Sequence, residues 1–223
     1  MRVYGMNVLK ELDTKKIKKV FTSRKEVCKY CSENKIKYEF VDNHFLNKMC
    51  EYNHQGVVID AFDYDYYNIN DIDGDFVLIL DHLEDPHNFG AIIRSCEAFG
   101  VDAIIIPNDR SVDITGTVVK ASVGTIEKVK IIKVTNLNNT IKKLKDYGYW
   151  VVGTDMEGTV YTDIDYKMKT ALIIGNEGKG ISRLVSENCD YLAKIPMSGT
   201  VNSLNASVAC GIFLAEINRS RGV

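Results

Sequence analysis

Three segments of this chain carry the polar and glycine-rich residues that hold and orient ligands. The first, Asp81-His82-Leu83-Glu84-Asp85-Pro86-His87-Asn88-Phe89-Gly90, follows an apolar run and leads into a helical pattern that contains Arg94. The second, Gly175-Asn176-Glu177-Gly178-Lys179-Gly180, places three glycines in six residues ahead of another helical pattern. The third, Ile195-Pro196-Met197-Ser198-Gly199-Thr200-Val201-Asn202-Ser203-Leu204-Asn205, opens the last helical pattern of the chain. Arg94 lies among Ile92, Ile93, Cys96 and Ala98, so its guanidinium either meets an anion such as phosphate or closes a structural salt bridge. Asn88, Ser203 and Asn205 are side chains that cap helices, and the same oxygens and amides can serve a ligand. Glycines at 175, 178 and 180 permit backbone conformations and close approaches that a side chain would block. The run lacks the GxxxxGK and Ser or Thr of a triphosphate loop. It also lacks the last glycine of a dinucleotide fingerprint, because Arg183 stands there.

Something must bring these loops together. Apolar runs at 76–80, 103–106, 129–134, 150–153, 171–174 and 192–195 alternate with helical patterns near 89–99, 137–147, 180–188 and 203–218. The runs are continuous rather than alternating, which predicts a mainly parallel sheet covered on both faces, with its ligands at the carboxyl ends of the strands. Upstream, strands are expected at 20–21, 38–41 and 57–59. Ser23 with Glu26 has the spacing of a capping box for a helix through about Asn34. This is a second, smaller α/β unit. Between the two units, 61–73 carries Asp63, Asp65, Asp71 and Asp73, no basic residue and neither hydrophobic period, so it reads as an acidic linker. The expected organisation is therefore 1–60, a linker over 61–73, and 74–223.

Charge is uneven along the chain. The net of −2 over 223 residues hides an excess of about +4 in residues 1–60, concentrated in Lys15, Lys16, Lys18, Lys19, Arg24 and Lys25, a footing for a polyanion such as RNA. The apolar runs are too short to cross a membrane, and the N-terminus shows no secretory pattern, so a cytoplasmic chain with free thiols is expected. Cys28 and Cys31 have a zinc-like spacing, but a second pair is missing and both fall in a predicted helix; no metal is expected. His82 and His87 read as hydrogen-bonding residues of their loop.

Taken in order, Asp85-Pro86-His87-Asn88-Phe89-Gly90-Ala91-Ile92-Ile93-Arg94, Ile174-Gly175-Asn176-Glu177-Gly178-Lys179-Gly180, and Ile195-Pro196-Met197 through Ser203-Leu204-Asn205-Ala206-Ser207-Val208-Ala209 resemble the three motifs of the SpoU (TrmH) branch of the SPOUT RNA ribose 2′-O-methyltransferases. Val3-Tyr4-Gly5, Ile17-Lys18-Lys19-Val20 and Asn53-His54-Gln55-Gly56-Val57-Val58 resemble the N-terminal part of the RlmB-type members, which modify a guanosine of 23S rRNA. Asn176 and Asn202 stand where several relatives carry Ser or Ala.

The resemblance implies an α/β SPOUT domain with a parallel sheet and a deep trefoil knot, preceded by a small L30e-like α/β domain that binds RNA. It implies S-adenosyl-L-methionine held by Gly175, Ile195 and Leu204, with Gly153, Thr154 and Met197 beside them. It assigns catalysis or its support to Asn88, Arg94, Glu177, Ser203 and Asn205, with Asn88 orienting Arg94. It also implies a homodimer acting on rRNA. A tRNA ribose methyltransferase of the same branch, and a protein that binds structured RNA without catalysis, are the alternatives.

Overall fold

A computed structural model describes residues 1–51, 53–201 and 203–223; Asn202, one of the two departures from the family pattern, lies outside the described residues. The elements in chain order are β1 (Arg2–Tyr4), α1 (Met6–Glu11), β2 (Ile17–Thr22), α2 (Lys25–Glu33), β3 (Tyr38–Phe40), α3 (Asn43–Met49), β4 (Val57–Ala61), β5 (Phe76–Asp81), α4 (Pro86–Ala98), β6 (Ala103–Pro107), α5 (Gly116–Ala121), β7 (Lys130–Val134), α6 (Leu137–Asp146), β8 (Trp150–Val160), β9 (Thr170–Gly175), α7 (Arg183–Ser186), β10 (Tyr191–Lys194) and α8 (Ala206–Arg221). They form two compact units: residues 1–65 with 113–127, and residues 66–112 with 128–223.

The larger unit is built on a sheet of order β10-β8-β9-β5-β6-β7 in which every strand pairing among the described residues is parallel. Strand β5 is buried along its whole length, which explains why its sequence is continuously apolar up to Asp81. Leu137, Ile141 and Leu144 of α6 pack with Val77, Ile79 and Ile105 of the sheet in one apolar cluster. The chain runs outward from β5 through β6 to β7, and then returns to insert β9 between β5 and β8. That reversal sets Asp81 beside Gly175, so the loops after β5 and β9 leave the sheet as neighbours.

Strand β8 runs well past the expected 150–153. Its first part pairs with β10 up to Gly153↔Leu192, and pairing resumes at Thr159↔Ala193, so residues 154–158 bulge out between. Helix α7 is shorter than the pattern at 180–188 suggests, because Gly180, at φ +66°, closes a bridge back to Asn176 before any helix starts.

In the smaller unit the sheet order is β1-β4-β2-β3, with β4 antiparallel to both neighbours and β3 parallel to β2. The expected capping box at Ser23 does not form. Arg24 is the N-cap residue of α2, and the Ser23 hydroxyl instead donates to Asn43 Oδ1 at 2.7 Å. Helix α5 belongs to this unit: Lys120 donates to the Asn53 carbonyl, and Gly116 lies so close to β1 that a Cβ would sit 2.3 Å from the Arg2 carbonyl oxygen.

The acidic stretch is anchored rather than loose. Asp63 pairs with the N-terminal amine at 2.6 Å, Tyr67 bridges to Ile132, and Asp73 pairs with Lys130 at 2.6 Å. No described helix is long and apolar enough to cross a membrane.

Truncating Ile79, fully buried in β5, is expected to destabilise the larger unit by about 2–5 kcal/mol. Urea unfolding followed at Trp150, the one tryptophan and a β8 residue, checks this; Lys143→Ala should leave the transition in place.

Candidate active site

At the carboxyl ends of β5 and β9, Asp81 is buried and makes two contacts of 2.6 Å: Oδ1 with His82 Nδ1, and Oδ2 with the Ser182 backbone N–H. The carboxylate therefore clamps both ends of the glycine loop's surroundings. His82 adopts φ +60°, and its carbonyl accepts the Asn176 side-chain amide at 2.9 Å. Asn176 also accepts the Gly178 N–H at 2.9 Å and exchanges both backbone hydrogen bonds with Gly180. Gly175 admits no side chain: a Cβ would meet the Gly180 carbonyl carbon at 2.2 Å and the Ile181 nitrogen at 2.3 Å.

A second network joins the three sequence motifs. Asn88 is not the cap of α4. Asp85 caps it, accepting the His87 N–H at 2.9 Å, with Pro86 at the first helical position. Asn88 is mostly buried and bridges instead, donating from Nδ2 to Glu177 Oε1 at 2.7 Å and accepting at Oδ1 from Asn205 Nδ2 at 3.0 Å. Asn205 is the cap of α8, its Oδ1 taking the Ser207 and Val208 N–H groups. One amide thus does both jobs between which the sequence left a choice, capping through oxygen and bridging through nitrogen.

These loops border an open cleft of about 1090 Å³. Thr154, Gly175, Ile195, Met197 and Leu204 line it, as do Glu177 and Ser203. The 154–158 bulge of β8 supplies one wall through Asp155 and Met156, and Phe213 of α8 another. Gly153 lies off the cleft, against Cys189 and Ile181. Arg94 also lies outside the lining: it is exposed on α4, and among the described residues no acceptor engages it. The salt bridge left open by the sequence does not form, and Asn88 spends its amide on Glu177 and Asn205 rather than on Arg94. Sequence reasoning missed Asp81 and the bulge; a carboxylate closing an otherwise apolar strand was the available signal for the first.

In the smaller unit the basic residues are partly spent. Lys16 pairs with Glu127, Lys19 with Glu39 at 2.6 Å and Arg24 with Glu26 at 3.7 Å; Lys15, Lys18 and Lys25 enter no ion pair among the described residues. Cys31 is buried in α2 and its thiol is pushed up to about 11 by that burial and by Cys28, so it is held as a neutral thiol. Among the described residues no three His, Cys, Asp or Glu side chains gather as a metal-binding set.

Comparison with known proteins decides the family. The sequence model described as SpoU rRNA Methylase family matches residues 75–215, well over half of the chain. The chain belongs to the SpoU rRNA methylase family. It is an RNA methyltransferase of that family, and residues 2–67 match the companion description, RNA 2′-O ribose methyltransferase substrate binding. It is similar to a protein of Staphylococcus saprophyticus named as a TrmH family tRNA/rRNA methyltransferase, with 45% identity over 88% of this chain and 82% of that one. Among solved structures it is similar to the AdoMet-bound rRNA methyltransferase of Sinorhizobium meliloti, with 30% identity, TM-score 0.83, and 98% and 86% of the two chains covered. It is also similar to the TrmH/SpoU tRNA modifying enzyme of A. aeolicus, with 33% identity, TM-score 0.62, and 67% and 77% covered. The SpoU motifs coincide with the loops that the sheet brings together.

Gly175→Ala is expected to force the 176–180 turn away from β9. The melting temperature should fall, and amide exchange at Gly180 and Ser182 should accelerate. Unchanged exchange there would mean that the loop tolerates the methyl group.

His54 gives a second test, in the smaller unit. It is buried, its Nδ1 accepts the Gly56 N–H at 3.0 Å, and its pKa is lowered from 6.5 by burial and by the charge of Lys120. The unfolded chain therefore takes up the proton first. The stabilisation is complete above pH 6.5 and is lost as the pH falls through the lower folded value. The Gly56 amide resonance in the full chain should report this, holding its position above pH 6.5 and losing its exchange protection below.

Proposed function

We propose that this chain methylates the 2′-hydroxyl of a guanosine ribose in 23S rRNA, using S-adenosyl-L-methionine. The observation that carries the reading is the Asn88 bridge, which fixes Glu177 and the start of α8 together at the rim of the cleft. The cleft suits the cofactor. Ile195, Met197, Leu204 and Phe213 offer apolar surface for the adenosine and methionine parts, and the glycine loop offers backbone polar groups. Glu177 contributes a carboxylate that favours a nearby cation. Gly175, Ile195 and Leu204 would hold the cofactor, with Thr154 and Met197 beside them; Gly153 acts from behind, by letting β8 pack. When bound, the cofactor supplies an electrophilic methyl group on sulfonium sulfur. The AdoMet-bound relative supports this assignment.

The chain's own task is to present the ribose oxygen and dispose of its proton. Orientation accounts for much of such an acceleration. A guanidinium is a poor base, so the role of Arg94 is to organise the substrate phosphate and the hydroxyl while the proton leaves to water or a phosphate oxygen. Glu177, Ser203 and Asn205 shape the loops around acceptor and cofactor, and Asn88 holds them in register. Since Arg94 is exposed and no acceptor engages it among the described residues, the reading includes a homodimer in which it serves the partner's cleft. The deep knot belongs to the same reading.

The N-terminal unit recognises the RNA, with Lys15, Lys16, Lys18, Lys19, Arg24 and Lys25 as its RNA contacts. An rRNA substrate is favoured over tRNA because the structure named as an rRNA methyltransferase is matched by 98% of the chain and the one named as a tRNA modifying enzyme by 67%. Charge reversal is a cleaner test of this unit than truncation, because residues 113–127 pack into it.

Arg94→Ala is expected to slow single-turnover methyl transfer at least about 10- to 100-fold with cofactor affinity unchanged, and Arg94→Lys to recover little. Near wild-type rates in Arg94→Ala would remove the residue from the mechanism, and absence of saturable cofactor binding with RNA present would remove the activity. Reversal of Lys15, Lys18 and Lys25 to Glu should weaken rRNA binding and flatten its salt dependence. If 2′-O-methyl mapping in cells lacking the protein lost a tRNA mark instead of an rRNA one, the tRNA reading would replace this one.

A further inference from the structure

The N-terminal unit has its own cleft, about 520 Å³, which none of the methyl-transfer chemistry uses. Its polar groups have a definite polarity. The Gly56 N–H donates to His54 Nδ1, so the ring proton sits on Nε2 and must donate to Asn47 Oδ1, 2.8 Å away. That leaves Asn47 Nδ2, with its two N–H bonds, as the end of the amide that no acceptor engages among the described residues. Asn43 is oriented the same way, its Oδ1 taken by the Ser23 hydroxyl. Arg24 adds further donors, and Gly56 makes room for it: a Cβ there would lie 3.1 Å from Arg24 Cγ and Nε. Gly56 and the neighbouring Gln55 both hold left-handed backbone, at φ +77° and +51°, a costly arrangement for a glutamine. Glu51 is the one carboxylate of the lining.

Arg24, which also faces Glu26, is the one cation of the lining among the described residues and Glu51 its carboxylate, so the cleft holds no excess of positive charge and suits a neutral, planar, polar ligand rather than a bare phosphate. Unpaired RNA bases are such ligands, read on their edges and stacked against guanidinium planes. Of the four, only guanine presents two adjacent N–H donors, N1 and N2, to one carboxylate, together with acceptors O6 and N7 for amide and guanidinium donors. We propose that this cleft takes an unstacked guanine of the RNA substrate, with Asn43, Asn47 and Arg24 donating to it and Glu51 accepting from it. The inference rests on the reading of the N-terminal unit as the RNA-binding part, and it assigns that unit a base-reading pocket in addition to a charged surface.

The test uses the isotopically labelled full chain, titrated with GMP, IMP, AMP and CMP while the side-chain amide resonances of Asn43 and Asn47 are followed. All four probes carry the same phosphate. GMP should shift these resonances saturably, IMP, lacking the N2 amine, should bind about tenfold more weakly, and AMP and CMP should leave them in place. Asn43→Asp and Asn47→Asp keep the oxygen that Ser23 and His54 use but remove the free N–H donors; each should weaken GMP binding about tenfold or more with the melting temperature held. Equal shifts from all four probes, or unchanged GMP binding in both variants, would overturn the proposal. Filter binding of a 23S rRNA fragment by the same variants separates the two readings. Undiminished RNA binding without GMP selectivity would discard the pocket alone, whereas RNA binding indifferent to lysine reversal would discard the RNA-binding role of the unit.

Discussion

A single neutral amide ties the larger unit's chemistry together. Asn88 donates to a carboxylate on one loop and accepts from an amide on another, and few other side chains can do both at once. An aspartate there would repel Glu177, and an alanine would leave Glu177 and Asn205 without their shared partner. The requirement propagates outward. Asn88 can reach both partners only if the first turn of α4 begins at Pro86, if β9 lies beside β5, and if α8 starts where Asn205 caps it. Sheet order, helix capping and loop closure are thus conditions of one hydrogen-bonded bridge.

Much of this was legible from residue types. The central strands of the larger sheet, β5, β6 and β9, announce themselves as continuous apolar runs because they are buried on both faces, and their parallel pairing follows. The three loops were also visible, since glycine and amide residues at strand ends have few other uses. What stayed hidden had no local signature. The extension of β8 beyond Gly153 depends on β10 pairing with it twice across a bulge, a relation between distant residues. Short helices such as α1, α3 and α5 carry too few turns to show a period. The cap of α4 was misread because Asp85 and Asn88 have equal capping chemistry; the choice was made by Pro86, whose missing N–H suits the first helical position, and by Glu177, eighty-nine residues away. Charge counting overstated the basic surface, since Glu39 and Glu127, remote in sequence, lie against Lys19 and Lys16.

The two clefts differ in the way their tasks require. The larger combines backbone groups with apolar side chains, and at Gly175 main chain packs directly against main chain. The smaller is lined almost wholly by polar side chains whose hydrogen-bonding sense is imposed by a buried histidine. Backbone recognition suits an invariant cofactor. Oriented amides suit a partner that must be told from others like it.

Helix α5, finally, has a consequence for how the molecule is made. The compact unit that begins at Met1 is completed only by residues 113–127. On the ribosome, β1 to β4 therefore emerge first and wait for their last helix while residues 66–112 are synthesised. At about 5–20 residues per second that interval is roughly 2–9 s. Through it, the face of β1 that α5 will cover is open to water and to other nascent chains, so this unit closes only after the first part of the larger one has been made.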